Sequence, residues 1–206
     1  MNVRTVLHMK GGEDNASYAK NSSIQSLVSK KAKHALEKNI QQFCRLNLPS
    51  KECIIVGDLG CASGPNTLAS VKEIIELIDS ESRNMNYGLP YIQVFLNDLE
   101  SNDFNSIFKS LPLSYDNLEK YGRQSGSCFI AAMPGSFCGR LFPDHSIHFI
   151  HSSFSLHWLS QVRILTLGCN LQIKDSSRVH FAINPFSIYH KYYSDFTHKK
   201  NSKRAK

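Results

Sequence analysis

Two aspartates, each closing an apolar run, are the residues in this chain whose placement could do chemistry. Ile54, Ile55 and Val56 lead into a turn containing Gly57, Asp58, Gly60, Cys61, Gly64 and Asn66. Val94, Phe95 and Leu96 lead into Asn97 and Asp98. A glycine-rich turn after a buried strand lets backbone approach a ligand without Cβ clash. Asp58 there would hold a cationic or polyhydroxylated ligand end. Asp98 would accept hydrogen bonds from the 2′ and 3′ hydroxyls of a ribose. The glycines at 57, 60 and 64 miss the G-x-G-x-x-G spacing, and no lysine completes a phosphate loop. A carboxylate in the loop repels pyrophosphate. It favours a ligand with a positive end, such as the amino and sulfonium groups of S-adenosylmethionine. The plainer alternative is an ordinary strand–turn–helix with aspartates in solvent or at helix caps.

The elements that would position these residues follow from periodicity. Residues 22–40 carry Ile24, Leu27, Val28, Ala35, Leu36 and Ile40 at helical spacing. Leu68, Val71, Ile74, Ile75 and Ile78 mark a second helix directly after the glycine turn, which Asn66 or Thr67 could cap. Tyr91 to Leu96, Ser127 to Met133 and Ile147 to Ser155 read as further strands, with a short helix around Phe104, Ile107 and Phe108. Segments 81–90 and 112–126 read as surface loops. Strands alternating with helices imply a parallel or mixed sheet with helices on its faces.

Charge and cysteines narrow the class. The net charge of +7 lies wholly beyond residue 161, because 1–161 hold 15 Lys+Arg against 15 Asp+Glu. A basic end of this kind is ordinarily a solvated terminus, so nucleic acid is not an expected partner. The six cysteines form no C-x-x-C pair and read as small buried hydrophobes. His145, His148 and His151 are spaced by three; on a strand such neighbours face opposite ways, so no metal is expected. No apolar run reaches membrane-spanning length and no hydrophobic leader follows Met1, so a cytoplasmic protein is expected. The sequons at Asn15 and Asn21 then carry no meaning.

Five ordered blocks resemble the plant SABATH methyltransferases, which act on salicylate, benzoate, jasmonate and caffeine precursors. They are Val6 to Gly12 with Ser17 to Ser22, Asp58 to Thr67, Asn97 to Asn105, Pro134 to Pro143, and His148 to Gln161. The resemblance implies an α/β fold: an incomplete Rossmann-like S-adenosylmethionine-dependent methyltransferase sheet, helices on both faces, the helical cap missing. It implies that Tyr18 and Ser22 close over the cofactor and that Asp58, Cys61 and Asn66 meet its methionine end. Asp98 would hold the ribose, with Leu99, Ser136 and Phe137 around the adenine. Gln25 and Trp158 would hydrogen-bond the acceptor, and Phe154 and His157 would line its pocket. No residue is assigned a catalytic role beyond positioning. A carboxylate acceptor is already ionised at neutral pH and needs no general base.

The resemblance fades after Gln161. Residues 1–161 are expected to form the N-terminal part of the methyltransferase domain, and 162–206 an atypical basic tail, partly disordered. Phe154 stands where many members have tyrosine, and Cys138 replaces an aromatic. Two functions follow: a methyltransferase acting on a small carboxylic acid or a xanthine nitrogen, or an inactive truncated remnant. The remnant would bind cofactor weakly, form a homodimer, or pair with a full-length relative. A nicotinamide oxidoreductase is set aside on the glycine spacing. Without the resemblance, His157 and Trp158 read as core packing at a strand–helix junction.

Overall fold

The computed structural model describes residues 22–50, 52–123, 126–137, 139–143, 145–153, 155 and 180–183. Helix α1 (Ser23–Asn47) leads through a short 3-10 turn to strand β1 (Cys53–Leu59). Then come α2 (Pro65–Asn84), β2 (Tyr91–Asp98), α3 (Phe104–Lys109), α4 (Leu111–Lys120), β3 (Cys128–Pro134), β4 (Phe149–Ser152) and β5 (His180–Ile183). The five strands form one sheet in the order β3-β2-β1-β4-β5. Every pairing is parallel.

Alternation along the strands sorts the side chains into two layers. Ile54, Val56, Ile92, Val94, Leu96, Cys128 and Phe149 share one core with Leu36, Ile40 and Phe43 of α1 and Val71, Ile74, Ile75 and Ile78 of α2. Ile107 of α3 and Leu118 of α4 join the same core. Right-handed crossovers explain this: β1, β2 and β3 advance in one direction, so their connecting helices land on one face. The second face carries Ile55, Leu59, Phe95 and Ile150, covered by Phe137, Leu141, Phe142 and Ile147 from the β3–β4 connection. No described helix contributes to the cluster on that second face, where the resemblance implies helices.

At the end of the sheet away from Asp98, Arg123 ties three elements together. Its guanidinium forms a two-pronged bond to Asp79 of α2 and donates to the carbonyls of Pro90 and Ser127. The two side chains are only 2% and 7% exposed, so the pair is a buried ion pair with its donors satisfied.

Several element limits differ from the sequence reading. Helix α1 continues to Asn47 rather than ending at residue 40, with Phe43 and Cys44 fully buried. Helix α2 runs into the segment expected as a loop and ends at Asn84, because Ser82 is buried and returns its hydroxyl to the Ile78 carbonyl. The expected loop at 112–126 contains α4. Pro112 sits in its first turn, where a missing N–H costs nothing. Leu111, Tyr115 and Leu118 supply its inner face. Strand β4 is four residues long rather than spanning 147–155.

Candidate cofactor site

The carboxyl ends of β1, β2 and β4 meet around the glycine turn. The chain runs outward from β1 to β2 and β3, then returns to the other side of β1 for β4. That reversal is where open α/β sheets bind ligands. Gly60 and Cys61 both donate backbone N–H bonds to the Asn97 carbonyl, at 2.8 and 2.9 Å. From the other side, the Ser152 and Ser155 hydroxyls donate to the Leu59 carbonyl, at 3.1 and 2.8 Å. The turn is therefore clamped by the tips of both neighbouring strands. Gly60 is required: its φ is +72°, and a Cβ there would lie 2.1 Å from the Ser155 Cβ.

Asp98 organises the next residues. Its Oδ2 accepts from the Ala62 N–H at 2.7 Å and its Oδ1 from the Leu99 N–H at 2.8 Å. Ala62 holds a left-handed φ of 57°, which costs a non-glycine residue about 1–2 kcal/mol. Asn102 also donates to the Ala62 carbonyl at 2.9 Å, so β2 and its loop hold that residue on both polar groups. Burial, the largest influence, pushes the Asp98 carboxyl above its ordinary 3.8; the two N–H bonds pull the other way, and the Asp58 charge adds to the rise. An ionised carboxylate has about four lone-pair sites, so two remain for ligand hydroxyls.

Asp58 lies deeper, 3% exposed, with its Oδ1 2.7 Å from His151 Nδ1 on β4. It pairs in register with Leu96, so Asp58 and Asp98 sit on neighbouring strands and the same face, two residues apart along β2. At about 3.3 Å per residue and about 4.8 Å between strands, their backbones are roughly 8 Å apart. Burial first, then the charges of Asp58 and Asp98, raise the Cys61 thiol well above its ordinary 9.0. That thiol stays protonated and faces the Ala62 carbonyl at 3.3 Å.

The structure brings most of the expected cofactor residues to this edge. Asn66 donates its amide to the Ser22 hydroxyl at 2.8 Å and carbonyl at 3.1 Å, joining the start of α1 to the first turn of α2, whose N-cap is Gly64 rather than Asn66 or Thr67. Leu99 is bound to Asp98. Ser136 and Phe137 follow Gly135, whose N–H donates to the Asp98 carbonyl. Phe137 also approaches Gly60, with 3.6 Å between its ring and a Cβ placed there. Tyr18, Phe154, His157 and Trp158 lie outside the described residues, as does the Gln25 side chain, although Gln25 itself is on α1.

Sequence reasoning missed three contributors. Asn97, fully buried, clamps the tip of β3 through Met133 and Gly135 while its carbonyl holds the glycine turn. Its Oδ1 has no hydrogen-bond partner among the described residues. His151 was read only as part of a histidine series. His148 instead accepts from the Ile55 N–H at 3.0 Å, while His145 sits on the β3–β4 connection at φ 60°. Asn102 lies inside the Asn97 to Asn105 block, which assigns it no role of its own. Among the described residues no group of three or more His, Cys, Asp or Glu could hold a metal ion. No described helix is long and apolar enough to cross a membrane.

The donor set fits S-adenosylmethionine: a half-buried carboxylate for a vicinal diol, a second for a cationic end, and a neutral thiol. The comparisons agree. A probable caffeine synthase of Coffea canephora is 57% identical over 166 residues, covering 79% of this chain and 43% of that protein. A 3,7-dimethylxanthine N-methyltransferase of Coffea arabica is 56% identical with the same coverage. The chain thus spans less than half the length of the curated relatives it matches. The solved structure of a loganic acid methyltransferase with SAH superposes with a TM-score of 0.61 at 35% identity, covering 72% of this chain and 40% of that one. A family model described as SAM dependent carboxyl methyltransferase matches residues 4–201. The chain therefore belongs to the S-adenosylmethionine-dependent carboxyl methyltransferase family and carries its α/β fold.

Proposed function

We propose that this chain binds S-adenosylmethionine between the tips of β1 and β2 and serves methyl transfer to a small acceptor. The observation that carries the reading is the Asp98 carboxylate, fixed by Ala62 and Leu99 at the mouth of the glycine turn. When bound, S-adenosylmethionine supplies a methyl group on a cationic sulfur. Asp98 orients the ribose, Asp58 offers negative charge toward the amino-acid end, and Leu99, Ser136 and Phe137 border the adenine. Tyr18 and Ser22 close the site from the N-terminal side, with Asn66 tying Ser22 to the first turn of α2. Cys61, kept as a thiol, does not compete for the methyl as a thiolate would. Gln25 and Trp158 orient the acceptor through their N–H groups, and Phe154 and His157 wall its pocket. For an ionised carboxylate the rate advantage then comes from alignment at near-attack distance; a xanthine N–H nitrogen also gives up its proton on methylation, to solvent or a neighbouring base.

Resemblance to relatives named for xanthines supports a purine nitrogen as acceptor ahead of a carboxylic acid. The same reading places the protein in the cytoplasm and makes residues 1–161 the cofactor-holding part. A labelled-methyl assay over xanthines and small aromatic and aliphatic acids tests it. Transfer to a xanthine with none to the acids supports the purine choice; transfer to acids alone reverses it.

A second reading, a non-catalytic chain pairing with a full-length relative, is favoured by one observation. Tyr91 and Phe129 share a sheet face and are 55% and 48% exposed. Cofactor binding without turnover, together with a heavier complex when a full-length relative is added, would favour it.

A further inference from the structure

We infer that His151 is a positioning residue for the cofactor's amino-acid end, acting through Asp58. The inference rests on the cofactor reading above and assigns a residue that the reading does not use. A carboxylate is not left in a sheet core without a partner, because burying an unpaired charge is costly. Asp58 is 3% and His151 8% exposed. They are register partners on β1 and β4, with 2.7 Å between Oδ1 and Nδ1. With the Asp58 oxygen as acceptor, His151 donates from Nδ1.

The geometry goes beyond charge cancellation. A planar carboxylate with one oxygen held has the direction of its other oxygen set as well. The strand that carries the imidazole is itself anchored, since the adjacent Ser152 and nearby Ser155 are bonded to the Leu59 carbonyl and 2.6 Å from each other. Asp58 is also close enough for its charge to act on both Cys61 and Asp98, the neighbours of the proposed ligand. The pair thus fixes one carboxylate oxygen at the topological reversal, beside the turn that would meet the methionine end.

Calorimetric titration of the full chain with two ligands separates positioning from a general structural role. S-adenosylhomocysteine has the amino-acid end; 5′-methylthioadenosine lacks it. Loss of a hydrogen bond to a charged group predicts that His151→Leu weakens S-adenosylhomocysteine on the order of tenfold. The same variant leaves methylthioadenosine within about twofold, because its contacts are elsewhere. His151→Asn, whose Nδ2 donates from nearly the position of Nδ1, restores the first ligand to within about threefold. Equal weakening of both ligands, or unchanged S-adenosylhomocysteine binding in a folded His151→Leu chain, overturns the inference. Should His151→Leu not fold, Asp58→Asn keeps the acceptor and removes the charge; it must show the same selective loss, and parallel losses overturn the inference. Asp98→Ala must weaken both ligands. If it weakens neither, or the wild type binds neither, the cofactor reading itself fails.

Discussion

Replacing Gly60 by alanine tests whether the turn is as tightly fixed as its contacts imply. Two costs add. The φ of +72° is left-handed, which costs alanine about 1–2 kcal/mol. The new Cβ would lie 2.1 Å from the Ser155 Cβ and 2.6 Å from its Oγ. Ser155 cannot simply swing away, because its hydroxyl holds the Leu59 carbonyl and meets Ser152. Relieving such overlap costs about 1–3 kcal/mol. Gly60→Ala should therefore destabilise the chain by roughly 2–5 kcal/mol, a large part of a typical domain's stability. Urea unfolding followed by circular dichroism reads this out. Gly88→Ala, where nothing lies within 4 Å of an added Cβ, serves as a control and should shift stability by less than about 0.5 kcal/mol. Adding Ser155→Gly to Gly60→Ala removes the overlap but not the φ cost, so the double variant should lose less than the sum of the two single variants. A Gly60→Ala chain within about 0.5 kcal/mol of wild type would refute the reasoning.

Three further outcomes follow from named contacts. Arg123→Met leaves Asp79 charged and buried, and should cost about 3–5 kcal/mol in the same unfolding assay, whereas breaking the exposed Lys33–Glu73 pair should cost at most about 1 kcal/mol. The raised Asp98 pKa gives opposite pH trends over one window. The native chain holds the proton more tightly than the unfolded chain, so this residue's contribution to stability falls as pH rises from 3.8 through the folded pKa. Ribose hydroxyls bond the ionised form, so S-adenosylhomocysteine affinity should instead fall up to about tenfold per pH unit on acidifying below the folded pKa. Titrations of the wild type, and unfolding curves compared between wild type and Asp98→Asn so that the other carboxylates cancel, check both slopes; slopes of the same sign would contradict the assignment. Finally, peptide mapping after brief iodoacetamide treatment should find Cys61, 8% exposed and held as a thiol, alkylated on the order of tenfold more slowly than the partly exposed Cys53.

How much was legible in the sequence depended on how local the signal was. Strand β1 could be read because Ile54, Ile55 and Val56 form an unbroken apolar run, as a strand buried on both faces requires. Asp98 could be read because it closes a similar run. Helix α4 was hidden because Pro112, Ser114, Asp116 and Asn117 carry turn chemistry, while its inner face rests on three residues. The bond between His151 and Asp58 spans 93 residues and exists only once β4 is placed beside β1. Nothing local announces such a pairing; the available signal was a polar residue inside each of two apolar strands. Arg123 and Asp79 were obscured in the same way, 44 residues apart. Strand β5 lies beyond Gln161, where the resemblance fades, and its sheet position rests on pairing with β4. The cofactor-site roles expected of Ser22 and Asn66 rest on the resemblance, and the bond between them is what the structure adds.

The central claim is that Asp98 and the turn it holds form a site for an adenosyl ligand. Calorimetric titration of the full chain with S-adenosylhomocysteine, wild type against Asp98→Ala, tests it most directly. The account predicts saturable micromolar-range binding in the wild type, weakened on the order of tenfold or more in the variant, as expected for lost bonds to a charged group. Equal binding by both chains, or no heat from a folded wild type, would contradict it.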